Sequence, residues 1–299
     1  MGGGVAVLGN VTLDVICFPV NDVPRKESIA FQRSAVTPGG CGSNTAIRLA
    51  QLGTPVYLIA CTGSDPAAEL LHHSWQEVGV KTRFIRQIQG ETTGISVGLV
   101  DSDYQPRFVH TPGANAHLTP AAVEIPSLIR MGVGLFYLGG YFVLPGLLTH
   151  SSADLFEELQ KAGITTALDV VTSPAMADPD PLWALLPWLD YFFCNQAEAR
   201  RMTGRKESRA AAAALIEKGA GAVIIKQGEE GCLLYTAEGP VVLPPVQNGG
   251  VVDTTGAGDA FAAGFLSALN AGRSPEEACR RGNQEGSLTV GFLGAVKIP

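Results

Sequence analysis

The segment Asp253-Thr254-Thr255-Gly256-Ala257-Gly258-Asp259 brackets a turn of small residues with two carboxylates, and the apolar run Ala260-Phe261-Ala262-Ala263-Gly264-Phe265 follows at once. A helix that begins here presents backbone N–H groups without intrahelical acceptors, and its dipole favours negative charge, so phosphate oxygens suit it as ligands. Gly256, Ala257 and Gly258 carry too little side chain to keep a reacting group away from the turn. Asp259 has the chemistry of a base that accepts a hydroxyl proton during phosphoryl transfer, with the backbone of Gly256, Ala257 and Gly258 as an anion hole. The same spacing also reads as an N-cap after an ordinary glycine turn, so the rest of the chain must decide between the two.

The elements around that turn alternate. Residues 4–9 read as a strand ending in a glycine turn, 43–52 as a helix closed by Gly53, 56–60 as a strand and 67–78 as a second helix. The rhythm resumes with strands over 136–138, 165–170, 191–194 and 222–226, and with helices over 152–161, 196–202 and the alanine-rich 209–218. A hairpin over 231–242, a helix starting near Asp259 and another from Pro275 to about Asn283 close the chain. Such alternation predicts βα units around buried parallel strands. Two stretches break it. Residues 15–36 and 92–110 read as consecutive extended segments, a small sheet inserted beside the main one and able to cover a ligand.

Near the N-terminus stand Pro38-Gly39-Gly40-Cys41-Gly42-Ser43-Asn44-Thr45-Ala46 and Leu49-Ala50-Gln51-Leu52-Gly53. With the DTTGAGD motif they resemble the ribokinase-like, or PfkB-type, carbohydrate kinases over nearly the whole chain. The resemblance implies an α/β fold with a doubly wound, mainly parallel sheet flanked by helices and a small β-sheet lid, all in one kinase domain over 1–299. It implies that Asp14, Gly39, Gly40 and Asn44 bind substrate, and their chemistry agrees: Asp14 accepts from hydroxyls, Asn44 donates and accepts, and the glycines permit close contact. Asn195 and Glu198 match an NxxE segment near phosphate and magnesium, with Glu198 acting through metal-bound water; a helix-capping pair explains the same spacing. Gly228 and Gly231 match a GxxG turn on the nucleotide side, and Asn283 matches a residue near the adenine pocket. The implied cofactors are ATP and Mg2+, with K+ at a site made by Asp253 and the backbone of Thr255.

Three departures stand out. Cys41 replaces the lysine of the most ribokinase-like GGKGAN signature. Lys226 replaces the small hydroxyl residue common two positions before the first glycine of the GxxG turn; it either reaches phosphate or is a displaced, solvated lysine. Asp169-Val170-Val171-Thr172-Ser173-Pro174 lacks the asparagine and arginine found nearby in many sugar kinases. These leave the acceptor open among furanoses, hexoses and sugar-derived metabolites, with a nucleoside kinase as the close alternative. A catalytically inactive metabolite-binding protein is the alternative of another class.

Composition narrows the field further. A net charge of -7 over 299 residues argues against a nucleic-acid binder, which needs a basic face. No P-loop and no GxGxxG fingerprint is present. The uncharged stretch 131–148 is broken by glycines and Pro145, so it reads as a strand, loop and helix start rather than a membrane span. Six dispersed cysteines and the lack of an export signal in residues 1–10 predict a cytoplasmic protein. Two sheet-forming insertions leave an edge in need of cover, which predicts a homodimer through the lid.

Overall fold

Apolar runs without alternation become strands buried on both faces, and Gly4–Gly9, buried at all six positions, is the first of them. The computed structural model describes residues 3–103, 106–246 and 249–298. The ends of the 1–299 unit and residues 104–105 of the second insertion therefore lie outside the described residues. In chain order, β1 (Gly4–Gly9) belongs to a large sheet, β2 (Thr12–Phe18) and β3 (Arg33–Gly39) to a small one, and α1 (Cys41–Gln51), β4 (Val56–Thr62), α2 (Pro66–Glu77) and β5 (Lys81–Gln87) return to the large one. β6 (Gly94–Val100) and β7 (Pro106–Thr111) complete the small sheet. Then follow α3 (Ile125–Arg130), β8 (Val133–Gly139), α4 (Ser151–Lys161), β9 (Thr165–Asp169), α5 (Asp180–Leu185), β10 (Tyr191–Asn195), α6 (Gln196–Thr203), α7 (Ser208–Glu217) and β11 (Ala222–Lys226). The hairpin β12 (Cys232–Thr236) and β13 (Gly239–Leu243) precedes α8 (Ala257–Asn270) and α9 (Pro275–Thr289).

The large sheet has the order β13-β12-β11-β10-β9-β8-β1-β4-β5. Its pairings are parallel except at β11–β12 and β12–β13. Successive residues of β8 face opposite layers: Phe136 and Leu138 pack with Phe156 and Phe192, while Leu135 and Tyr137 pack with Phe261 and Phe265 of α8. Helices thus cover both faces, as parallel strands require. Among the described residues no helix is long and apolar enough to cross a membrane; the 131–148 stretch is β8 followed by 3-10 turns.

The small sheet has the order β3-β2-β6-β7 and is mixed, with β2 and β6 parallel and both outer pairs antiparallel. Its strands reach further than residues 15–36 and 92–110, because Thr12, Leu13 and Asp14 pair in β2, and Pro38 and Gly39 pair in the edge strand β3, where proline is tolerated. Ile16, Phe18 and Val100 form its own small core. All four crossings between the sheets fall at one end of it, beside the paired residues Thr12, Gly39 and Gly94 and next to Thr111. Buried Asn115 ties that end: its Oδ1 accepts from the Val11 amide, and its Nδ2 donates to the carbonyls of Val11 and Pro112.

Candidate active site

The strand order reverses at β1, the crevice where open α/β sheets bind ligands beyond the strands' carboxyl ends. Register aligns the last residues of neighbouring strands there: Gly9 with Gly139, Gly139 with Asp169, and Asn195 with Lys226. Over this row lie the starts of α1, with Gly40 as N-cap, and of α8, with Gly256 as N-cap in the left-handed region at φ 74°. Only glycine suits Gly256, since a Cβ would also lie 2.4 Å from Ala295 Cβ. Thus the turn read in the sequence does open α8.

The two helix starts meet through one hydrogen bond, in which Asn44 Nδ2 donates to Asp259 Oδ2 at 2.8 Å. Asp14 lies on the small sheet's contribution, accepting from Thr12 Oγ1 at 2.6 Å. A Cβ on Gly39 would fall 2.0 to 2.1 Å from the Asp14 carboxylate, so the missing side chain at 39 is what lets that carboxylate lie over β3. Burial pushes Asp14 up to about 7, with the nearby Asp259 charge adding to it against the Thr12 bond. Burial likewise pushes Asp259 up to about 6, opposed by the Asn44 bond. The Cys41 thiol lies beside Asp259 and is itself raised by burial and by that carboxylate. Asn44 Oδ1 and Asp169 Oδ1 are buried acceptors with no partner within the protein. Buried acceptors of this kind call for donors.

On the opposite flank, Asn195 and Glu198 form a reciprocal capping box at the start of α6. Glu198 Oε2 accepts from the Asn195 amide at 2.8 Å and Oε1 from the Thr172 amide at 3.1 Å. Lys226 is not solvated: its Nζ sits 2.5 Å from Asp169 Oδ2. Gly228 and Gly231 shape the β11–β12 turn, closed by the Gln227 amide donating to the Gly231 carbonyl at 2.8 Å. Asn283, on α9, donates to the carbonyls of Leu243, the last residue of β13, and of Pro244 just after it. The Asp253 carboxylate accepts from the Thr255 amide and hydroxyl and from the Gly294 amide. Among the described residues no cluster of three or more His, Cys, Asp or Glu could hold a metal ion by itself.

Comparison with known proteins decides the family. The profile of the pfkB family carbohydrate kinases matches residues 4–298. The chain belongs to that family. This carbohydrate kinase is 30% identical to the ribokinase of Arabidopsis thaliana over 305 residues, covering 98% of this chain and 77% of the relative. It is 27% identical to the aminoimidazole riboside kinase of Salmonella typhimurium over 308 residues, 98% of this chain and 90% of the other. A solved structure of Arabidopsis thaliana ribokinase, complexed with ribose and ATP, superposes with a TM-score of 0.84 at 28% identity, covering 99% and 95% of the two chains. The mainly parallel sheet with a separate small sheet is therefore the ribokinase-like arrangement expected from the sequence.

Beside the side chains that the motifs single out, the kinase places Asp169, which none of them marks, at the end of β9 against Lys226. In the sequence Asp169 stands out only for what its neighbours lack, although an acidic residue ending an apolar strand in a βα unit is itself a signal. Thr12, which bonds Asp14, and Asn10, whose Oδ1 accepts from the Cys41 amide at 3.2 Å, were also passed over.

Proposed function

We propose that the kinase transfers the terminal phosphoryl group of ATP to a hydroxyl of a small sugar or sugar-derived metabolite. The Asn44–Asp259 hydrogen bond at the mouth of α8 carries this reading, because it orients a carboxylate beside anion-binding amides. Magnesium-bound ATP supplies the transferable group. Asp14 and Asn44 accept from acceptor hydroxyls beside Gly39 and Gly40, while Asp259 takes the proton from the reacting one. The first-turn amides of Gly256, Ala257 and Gly258 hold phosphate oxygens as negative charge shifts toward ADP. Residues 1–299 act as one domain, with the small sheet as a lid that excludes water.

Glu198 and Asn195 border the metal's water shell, Gly228 and Gly231 shape the nucleotide pocket, and Asn283 fixes the segment beside adenine. With three donors already on Asp253, a carboxylate's four lone-pair sites leave room for K+ beside the Thr255 backbone. Equal turnover in potassium and tetramethylammonium salts would remove that ion from the account. The dispersed spacing of the six cysteines suits a reducing, cytoplasmic setting. Val36 and Val109, 59% and 62% exposed on the small sheet, support a lid-to-lid homodimer, and a monomer mass at all concentrations would reject it.

A nucleoside acceptor is the second reading, favoured by the relative named for a riboside. The experiment is magnesium-dependent ADP production from ATP across pentoses, ketohexoses, acidic ketosugars, inositols and nucleosides, with Asp259→Asn as control. Turnover with one acceptor class that disappears in the variant is the expected result. Turnover unchanged in folded Asp259→Asn overturns the base assignment, and none with any acceptor overturns the proposed acceptor class.

A further inference from the structure

Two of the sequence departures meet in space. Cys41 opens α1 and Lys226 ends β11, yet the Lys226 ammonium acts electrostatically on Cys41, as do the Asp169 and Asp259 carboxylates. Asp169 reaches Lys226 across the end of β10, with both side chains largely buried, at 5% and 16% exposure. The ammonium lies under the first turn of α8: a Cβ on Gly258 would be 3.2 Å from Lys226 Nζ and 3.9 Å from its Cε. Lys226 thus stands between Asp169, Glu198 and Asp259 and directly beneath the anion-binding turn.

An ion pair this buried is expensive to desolvate and is weak evidence for stability. Its carboxylate still has Oδ1 unpartnered, so the pair is not a closed structural unit. The ammonium is positioned for a ligand that brings additional negative charge to the turn. Position 41, where GGKGAN-type sequences carry a lysine, here holds a thiol beside Asp259.

Resting on the proposed phosphoryl transfer, we propose that Lys226 is the cation that touches the transferring phosphoryl group, that Asp169 positions it, and that it restores the ammonium missing at position 41. In the step, the acceptor O–H gives its proton to Asp259, and its oxygen forms a bond to the terminal phosphorus. The bond from that phosphorus to its bridging oxygen breaks, and the electron pair leaves on ADP. Lys226 keeps its protons throughout and offsets charge on the oxygens in flight.

The test measures binding as well as turnover, using ADP and the non-hydrolysable β,γ-imido analogue of ATP, each with magnesium, by calorimetry. Lys226→Met is expected to weaken the analogue about tenfold or more and leave ADP within about threefold, while kcat falls about 100-fold. Asp169→Asn should lower kcat about tenfold without raising the KM for ATP. Because Lys226→Met leaves a buried carboxylate unpaired, the neutral Lys226→Met/Asp169→Asn double variant repeats the binding measurement in a fold free of that charge. Adding Cys41→Lys to Lys226→Met should recover at least about tenfold in kcat.

A double variant that melts like the parent and keeps the parental preference for the analogue over ADP overturns the assignment of Lys226. Absence of recovery in a folded Cys41→Lys/Lys226→Met protein overturns the exchange between positions. In either case a parent protein that turns over its acceptor leaves the proposed function standing, whereas failure of the parent on the acceptor panel is a failure of that function.

Discussion

The two flanks of the crevice use their polar side chains differently. On the proposed acceptor flank, Asp14, Asn44 and Asp259 each make few bonds; Asn44 Oδ1 has no partner within the protein, and burial raises both carboxylates. On the proposed nucleotide flank, Asn195 and Glu198 bind each other's backbones, Asn283 binds two carbonyls, and Gly231 closes a turn. One flank therefore keeps side chains with unused hydrogen-bonding capacity. The other spends most of its side-chain bonds on holding its backbone in shape.

The largest effect is expected at Asp259. Asp259→Asn should lower kcat about 10²–10⁴-fold with acceptor KM little changed, since a base contributes on that order. A large KM change with intact kcat would make Asp259 a binding group like its neighbours and blur the contrast. Next, Asp14→Ala should raise acceptor KM about 10- to 100-fold, the worth of hydrogen bonds to a charged group, and leave ATP affinity alone. If ATP affinity moves as far, the flanks are not independent.

Asn195→Ala sharpens the contrast from the other side. Loss of its cap should cost about 1 kcal/mol of stability, read as a melting temperature on the order of 2–4 °C lower. The KM for ATP should change less than about threefold; a larger change at unchanged melting temperature would mean that Asn195 touches the nucleotide itself.

The smallest effects concern pH. Asp259 must be unprotonated to act, so kcat/KM should fall as pH drops through about 6, with protonation of Asp14 near 7 joining the same limb. Stability runs the opposite way. A carboxyl held above its ordinary 3.8 binds protons more readily in the folded state, so its contribution is present below about pH 4 and lost as pH rises toward 6 or 7. Asp259→Asn should accordingly raise the melting temperature by on the order of 2–4 °C at pH 8 relative to the parent, and by less at pH 4. An equal gain at both values would remove the charge from the explanation.

What could be read from the sequence was local. The DTTGAGD turn announced α8 because small residues, an acidic first turn and an apolar run sit side by side. The βα alternation was visible because buried parallel strands are apolar runs bounded by glycine. Asn195 and Glu198 could be read as a cap, and that is the contact they make. The Asp169–Lys226 pair could not be read, since it forms only when β9 and β11 flank β10. Asn44 and Asp259 were each singled out, but the bond between two helix starts depends on where the sheet reverses. The extended reading of 15–36 stops short of both strand ends, because Asp14, Pro38 and Gly39 have low strand propensity and only the ladder between β2 and β3 holds them extended.

The Asn115 knot has a mechanical consequence. Every crossing between the two sheets lies at one end of the small sheet, and that end is tied to Val11 and Pro112 by one buried amide. The small sheet is therefore a lever with its fulcrum beside Thr12. At roughly 3.3 Å per residue, Phe18 lies about 20 Å from the fulcrum and Asp14 about 7 Å, so a swing of about 10° carries the tip some 3.5 Å and the carboxylate only about 1.2 Å. The far end can sweep over a ligand of varied bulk while the Asp14 carboxylate stays nearly still.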